Sequence, residues 1–333
     1  MKNPPNIFDS EIFRRVSYTR REINGELFNL SDYPYLDIVL TDRCNSRCKF
    51  CIGDLLHKKL DCDAEIFKSQ TEYAVNELGV KETLILGGEP TISPVLFDMI
   101  DVCKNLPLNK ICMTTNGKKL RDQNFTKRVM SSGITHLNVS FMSADVEMQN
   151  FVHGSRNNIS LDELGKIYKI ADENGVHLRI NNNVYKGNND CVESLLEFYN
   201  RVKGICHSVK FSPLLKTDAY SVIPEINDFN KNYMLCPEAY ESLFNGVLET
   251  FEGEYPIVKN FAVFGFVEYR AALAEIPIIF NYNHRGRMMQ NATEKRQINN
   301  IKLLPNGNLS RSWNREELQH VIRFAPEKGE FNK

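Results

Sequence analysis

The segment TDRCNSRCKFC carries the densest chemistry in the chain, setting Cys44, Cys48 and Cys51 on one short stretch with CxxxCxxC spacing. Three thiolates so close can hold three corners of an iron-sulfur cube, whereas a cluster that only relays electrons normally takes four cysteines. The fourth iron then stays open, and an open iron can chelate the amino and carboxylate groups of a ligand. That turns the cluster from a relay into a reagent. Structural zinc with His57 as a fourth ligand, or cysteines that merely pack, would satisfy the same spacing.

Three further segments supply polar groups. GGEP, residues 87 to 90, joins two glycines, which let a backbone approach a ligand, to Glu89, whose carboxylate can accept from an ammonium group. TTNG, residues 114 to 117, and Ser140 within LNVSF follow in order. GGEP alone reads as a turn. What gives it weight is its place at the end of a short apolar run, like the other two.

Those runs belong to a regular alternation. From Leu36, short apolar stretches alternate with amphipathic ones: LDIVLT, AEIFKSQTEYAVNELG, ETLILG, VLFDMIDVCKN, KICMTTNG, NFTKRVMSSG, THLNVSF, SLDELGKIYKIADENG, VHLRINNNV, CVESLLEFYNRV and VKFSPL. Gly or Asn closes most of the helical stretches. Six strand-helix units of this kind predict an α/β fold, a partial (β/α)6 TIM-like barrel whose site lies at the carboxyl ends of the strands. Residues 1–35 are polar and read as an N-terminal extension wrapping the domain edge, and residues 36–216 as the barrel. Residues 217–333 lose the rhythm and read as a C-terminal cap over the barrel mouth. Within the cap a helix is expected around Glu238 to Phe251, and a hairpin in IKLLPNGNLSRSW turning at Pro305 to Asn308.

Composition sets the outer bounds. The chain has 333 residues, 42% hydrophobic and 25% charged, which excludes disorder and collagen. Forty-one basic and 42 acidic residues leave a formal net charge of -1, no footprint for bulk nucleic acid or an anionic membrane. The amino terminus lacks the apolar core of a signal peptide, and the longest uncharged apolar run, Phe261 to Val267, is far short of a span of ~20 residues. Nine cysteines, three of them crowded into residues 44 to 51, argue against a secreted disulfide framework and for a reducing cytoplasm.

TDRCNSRCKFC followed by GGEP resembles the radical S-adenosylmethionine (SAM) superfamily, in particular its molybdenum-cofactor cyclase-like branch. LNVSFMSADVEMQNFVHG and RINNNVYKGNND look like that branch's fourth and fifth strand regions, and the resemblance covers roughly residues 33 to 216. It implies one 4Fe-4S cluster ligated by Cys44, Cys48 and Cys51, with SAM as the second cofactor. Gly87, Gly88 and Glu89 would hold the methionine amino group. Thr115, Asn116, Ser140 and Asn181 would fall against the methionine carboxylate or the ribose. Arg179 stands where the branch usually has lysine, keeping the charge but changing its geometry. The implied reaction is one-electron reduction of the cluster by a donor such as flavodoxin or ferredoxin, then cleavage of SAM to methionine and a 5'-deoxyadenosyl radical that abstracts hydrogen from a substrate.

Departures from the branch shape the functional expectation. The cyclases hold a second cluster with three C-terminal cysteines, yet no cysteine follows Cys236 here. Ser312 stands about where the last would be, basic residues of the cyclase substrate site have become Asn300 and Lys302, and the chain ends in FNK rather than Gly-Gly. The expected activity is therefore not the GTP cyclisation itself but hydrogen abstraction from a small polar metabolite, such as a nucleotide or sugar derivative. Modification of a peptide or protein is the alternative, and a non-catalytic metal-binding scaffold a further one, against which intact GGEP and TTNG argue. Arg285 and Arg287, in HRGR, are candidates to capture an anionic substrate group. Cys62, Cys103, Cys112, Cys191, Cys206 and Cys236 read as buried free thiols, and His153, in FVHG, as the end of a helix or loop rather than a ligand.

Overall fold

The computed structural model describes residues 17–23, 25–51, 61–214, 223–250, 266–269, 275–281 and 295–311. The six expected strands are present as β2 (Glu26–Val39), β3 (Glu82–Leu86), β4 (Lys110–Thr115), β5 (His136–Ser140), β6 (His177–Val184) and β7 (Ser208–Pro213). Each pairs in parallel with the next. The crossovers are α1 (Ala64–Asn76), α2 (Leu96–Lys104), α3 (Gln123–Met130), α5 (Leu161–Glu173) and α6 (Val192–Val202). A short additional helix, α4 (Val146–Val152), sits between β5 and α5. The partial barrel holds as predicted, and among the described residues the sheet does not close on itself.

Local chemistry accounts for these elements. Asp63, Asp122 and Asp145 cap α1, α3 and α4 by accepting from two backbone N–H groups each, and Ser160 with Glu163 forms a capping box on α5. The strands divide their residues between two faces. Toward the helices, Ile38, Ile85, Met113, Leu137 and Leu178 stand in one register row and are all fully buried. On the other face the rows are polar: Thr114, Asn138, Arg179 and Ser208 in one, Ser140, Asn181 and Lys210 in the next.

The regions flanking the barrel enter the same sheet. β2 runs unbroken across the boundary at residue 35, and its first half pairs antiparallel with β1 (Tyr18–Ile23). After α7 (Pro224–Tyr233) and α8 (Pro237–Thr250), the described residues of 217–333 form β8 (Phe266–Tyr269), β9 (Ile278–Asn281), β10 (Gln297–Leu303) and β11 (Leu309–Ser310). β9 adds in parallel beside β7 with β8 outside it, and β10 adds in parallel beside β2 and turns back into β11. The hairpin expected at Pro305 to Asn308 is therefore present, but as an extension of the sheet edge. Lys302 and Asn300 are brought to the polar face of β2, where Lys302 Nζ lies 3.9 Å from Asp37 Oδ2 and also contacts Asn300; all three are buried. No helix among the described residues is long and apolar enough to cross a membrane.

Phe211 joins β7 to this C-terminal region: it is fully buried against Phe198 and Phe280, and its carbonyl accepts from the Tyr240 hydroxyl. Phe211→Ala is expected to cost about 3–5 kcal/mol, whereas Ser160→Ala, which removes one cap, should cost about 1 kcal/mol. Urea denaturation of the two variants beside the parent chain checks the ranking.

Candidate functional site

The cysteine loop leaves β2 at its carboxyl end and is closed at its base by polar contacts. Thr41 bridges Asp61, its hydroxyl donating to Asp61 Oδ1 at 2.7 Å, and the Arg43 guanidinium pairs with the same carboxylate at 2.6 Å. Cys44 is exposed, while Cys48 and Cys51 are half-buried. Within the loop, Ser46 N–H donates to Cys44 Sγ at 3.4 Å and Cys51 N–H to the Cys48 carbonyl at 3.1 Å.

The β3 end lies directly beneath this loop, and only glycine permits that approach. A Cβ on Gly87 would sit 2.6 Å from the Thr41 carbonyl oxygen, and one on Gly88 2.3 Å from that of Arg43. The contact lets Gly88 N–H donate to Thr41 O at 2.7 Å and Glu89 N–H to Arg43 O at 2.9 Å. The Glu89 side chain is buried and accepts four hydrogen bonds. Its Oε1 accepts from Thr91 N–H, Thr91 Oγ1 and Thr115 Oγ1 at 3.1, 2.6 and 2.5 Å, and its Oε2 from Asn116 N–H at 2.8 Å. Three of these donors crowd onto Oε1, and Oε2, with one donor, keeps an acceptor position open. Burial pushes its pKa up, and the donors oppose that shift.

Asn116 carries the connection onward, its amide donating to Asn45 Oδ1 at 2.7 Å and Ser46 Oγ at 3.2 Å. Thus Cys44–Cys51, Gly87–Glu89 and Thr115–Asn116 form one bonded unit. Ser140, Asn181 and Arg179 form a second group on β5 and β6: Ser140 is the register partner of Asn181, and Arg179 Nε donates to Asn181 Oδ1 at 3.1 Å. Arg285, Arg287, Ser312 and His57 lie outside the described residues.

One residue beside the thiols escaped the sequence reading, and a second was read only as a helix or loop end. Lys118 follows TTNG directly; its ammonium donates to the Asn45 carbonyl at 3.0 Å and to Ser155 Oγ at 2.6 Å, and its charge is felt by Cys44, Cys48 and Glu89. Burial pulls its pKa down, and those negative groups oppose the shift. His153 caps the C-terminus of α4, as expected, yet it is buried with Nδ1 3.2 Å from Cys48 Sγ. Burial, with the charge of Lys118, lowers its pKa to about 4. The remaining cysteines divide. Cys62, Cys103 and Cys206 are buried, with pKa values pushed up to about 12 by burial, and Cys112 is buried too. Cys191 and Cys236 are exposed, which corrects the expectation: one precedes α6 and the other α8, at helix starts that face solvent.

The thiol loop fits an iron-sulfur cube. Burial raises the Cys48 thiol well above its ordinary range, and the neighbouring Cys51 and Cys44 raise it further, so the three sulfurs lie within electrostatic reach of one another. Among the described residues no three His, Cys, Asp or Glu side chains converge on a single ion. A cube does not require that, because each thiolate binds its own iron.

The Radical SAM superfamily matches residues 38–199. GTP 3',8-cyclase of Clostridium perfringens strain SM101 is 35% identical over 115 residues, 33% of this chain and 34% of that protein. The Aquifex aeolicus GTP 3',8-cyclase is 30% identical over 184 residues, 53% of this chain and 55% of that protein. The chain thus spans 34% to 55% of the length of these two curated relatives. Among solved structures, Streptococcus suis SuiB aligns with a TM-score of 0.62 at 17% identity, over 87% of this chain and 62% of that one. anSMEcpe with bound AdoMet aligns with a TM-score of 0.56 at 15% identity, over 87% of this chain and 81% of that one. These likenesses show the fold, and both proteins have been crystallised with AdoMet. A 4Fe-4S cluster and SAM are the cofactors that go with the family. The match begins within β2 and ends within α6, taking in every loop that frames the thiols, and on that ground residues 38–199 form a radical SAM domain similar to that of the GTP 3',8-cyclases.

Proposed function

We propose that Cys44, Cys48 and Cys51 ligate one 4Fe-4S cluster, and that SAM lies between the cysteine loop and the carboxyl ends of β3 to β6. The observation that carries this reading is the docking of the Gly87–Glu89 strand end against the thiol loop, at a separation that a side chain at either glycine would prevent. Bound together, cluster and SAM would supply a 5'-deoxyadenosyl radical able to abstract hydrogen from a substrate.

The protein's own groups divide the remaining work. The backbone of Gly87 and Gly88 offers carbonyl oxygens to the methionine amino group. Glu89, through the four hydrogen bonds it accepts, holds Thr91, Thr115 and Asn116 in register with the loop. Asn116 braces Asn45 and Ser46, and Lys118 balances the negative charge of the thiolates. Ser140, Asn181 and Arg179 supply polar contacts and positive charge for the ribose and carboxylate. An electron donor of the flavodoxin or ferredoxin kind would meet a reducing cytoplasm's supply.

The substrate we favour is a small polar metabolite carrying an anionic group, enclosed by residues 217–333. The polar face of the sheet supports this, since Arg179, Lys210 and the buried Lys302 bring three cations to it against Asp37. Relatives named for GTP, a nucleotide, point the same way. Arg285 and Arg287 would add to that charge. GTP cyclisation itself is disfavoured, because residues 237–333 contain no cysteine for a second cluster. A peptide substrate is the second reading, supported by the fold likeness to SuiB, which has been crystallised with precursor peptide SuiA (TM-score 0.61). Anaerobic turnover with deuterated metabolite pools and with candidate peptides, following deuterium into 5'-deoxyadenosine, separates the two.

Two outcomes are expected of the cofactor site. Anaerobically reconstituted protein should carry about 4 iron and 4 sulfide per chain, and Cys44→Ala, Cys48→Ala or Cys51→Ala should each abolish 5'-deoxyadenosine formation, while Cys103→Ala leaves it intact. A cluster and turnover that survive loss of Cys48 would refute the ligand set. Glu89→Gln keeps the shape but turns an acceptor oxygen into a donor facing donors, so it should cost about 1–3 kcal/mol of stability and weaken SAM binding. Asn181→Ala should weaken SAM binding with stability nearly unchanged. Denaturation and anaerobic calorimetry on both variants read the two effects separately.

A further inference from the structure

The C-terminal end of α4 grips the cysteine loop on both sides of Cys48. Arg47 N–H donates to the His153 carbonyl at 3.0 Å, and Lys49 N–H donates to the Val152 carbonyl at 2.9 Å. Lys49 Nζ lies 4.1 Å above the Phe151 ring, and the Phe50 ring meets the His153 ring edge-on at 6.1 Å. Gly154, with φ of +55°, then turns the chain away so tightly that a Cβ there would lie 2.1 Å from the Arg47 carbonyl oxygen. With the peptides on either side of Cys48 pinned to α4, the sulfur is left 3.2 Å from His153 Nδ1.

The direction of that contact follows from chemistry. A cysteine that ligates iron is a thiolate and has no proton to give, so only the imidazole can donate. His153 is 1% exposed and, among the described residues, its Nε2 has no hydrogen-bond partner. An N–H buried there without an acceptor would cost the full penalty of an unsatisfied donor, which favours the tautomer with its proton on Nδ1, facing the sulfur.

We propose that His153 is a positioning residue for the cluster: its Nδ1–H donates to the Cys48 thiolate, and that hydrogen bond raises the potential at which the cluster accepts an electron. The inference rests on Cys48 being a cluster ligand, as argued above. The reduced cluster places more negative charge on its sulfurs than the oxidised one, so a donor aimed at one of them stabilises the reduced form more. One electron enters from an external low-potential reductant, no protein bond forms or breaks, and the proton stays on Nδ1.

The test uses the full chain, reconstituted anaerobically, and a dithionite titration followed by electron paramagnetic resonance. His153→Asn places an amide N–H close to the Nδ1 position, and His153→Leu fills the space without a donor. Parent and His153→Asn should reduce at similar potentials. His153→Leu should hold the same iron but reduce about tenfold less favourably, a shift of about 59 mV to the negative side for one electron. An unchanged potential in His153→Leu, with iron intact, overturns the proposal. Should His153→Leu fail to hold a cluster, the parent chain labelled with 15N-histidine decides. A weak coupling of one imidazole nitrogen to the reduced cluster is expected, and either no coupling or one of the strength of a direct iron ligand overturns the hydrogen bond. A parent chain with no reducible cluster at all would instead overturn the cluster assignment on which this rests.

Discussion

A single buried carboxylate organises the thiol-loop end of this molecule. Glu89 accepts four hydrogen bonds from three residues on two successive loops, while its own backbone N–H reaches the cysteine loop at Arg43. Leaving such a group short of donors in a dry site would cost more than the bonds contribute when made. The three segments must therefore fold together. That constraint explains why two glycines precede Glu89: the strand end has to lie flush against the Thr41–Arg43 backbone for the carboxylate to reach its partners.

From this hub the thiol loop is held on three sides. Asp61 closes its base through Thr41 and Arg43, Asn116 and Lys118 support its middle at Asn45, and α4 holds its far end around Cys48. Hydrogen bonds and an ion pair, between side chains and to backbone groups alike, make these contacts. The consequence is a loop held in place with Cys48 set deep and one side exposed. Cys44, the exposed thiol, marks that side.

Much of this was legible in the chain because it is local. The barrel strands and crossovers announce themselves by alternating apolar patterns, by aspartate and serine caps, and by glycines at strand ends. Contacts made over long separations left no such trace. α4 spans seven residues, too short to display a helical period, and its partner is 105 positions away, so His153 looked like an ordinary helix end. Lys118 was overlooked for a similar reason, since a lysine after a turn is usually solvated. The region after Leu215 reads as a cap that forms one unit with the barrel, and its β9 and β10 pair with opposite edges of the barrel sheet, a placement the sequence pattern does not show. Parallel pairing across more than 250 residues, as between β10 and β2, is a tertiary fact that a short strand's own sequence does not encode.

In the proposed site the loop presents three thiolates to four irons and leaves one iron for SAM. Mössbauer spectroscopy of the 57Fe-reconstituted chain, with and without SAM, addresses that directly. The expected spectrum is that of a 4Fe-4S cluster in which one iron site is distinct and changes its isomer shift when SAM is added. A cluster whose four sites are all indifferent to SAM, or a chain that takes up zinc in place of iron at the same cysteines, would contradict it.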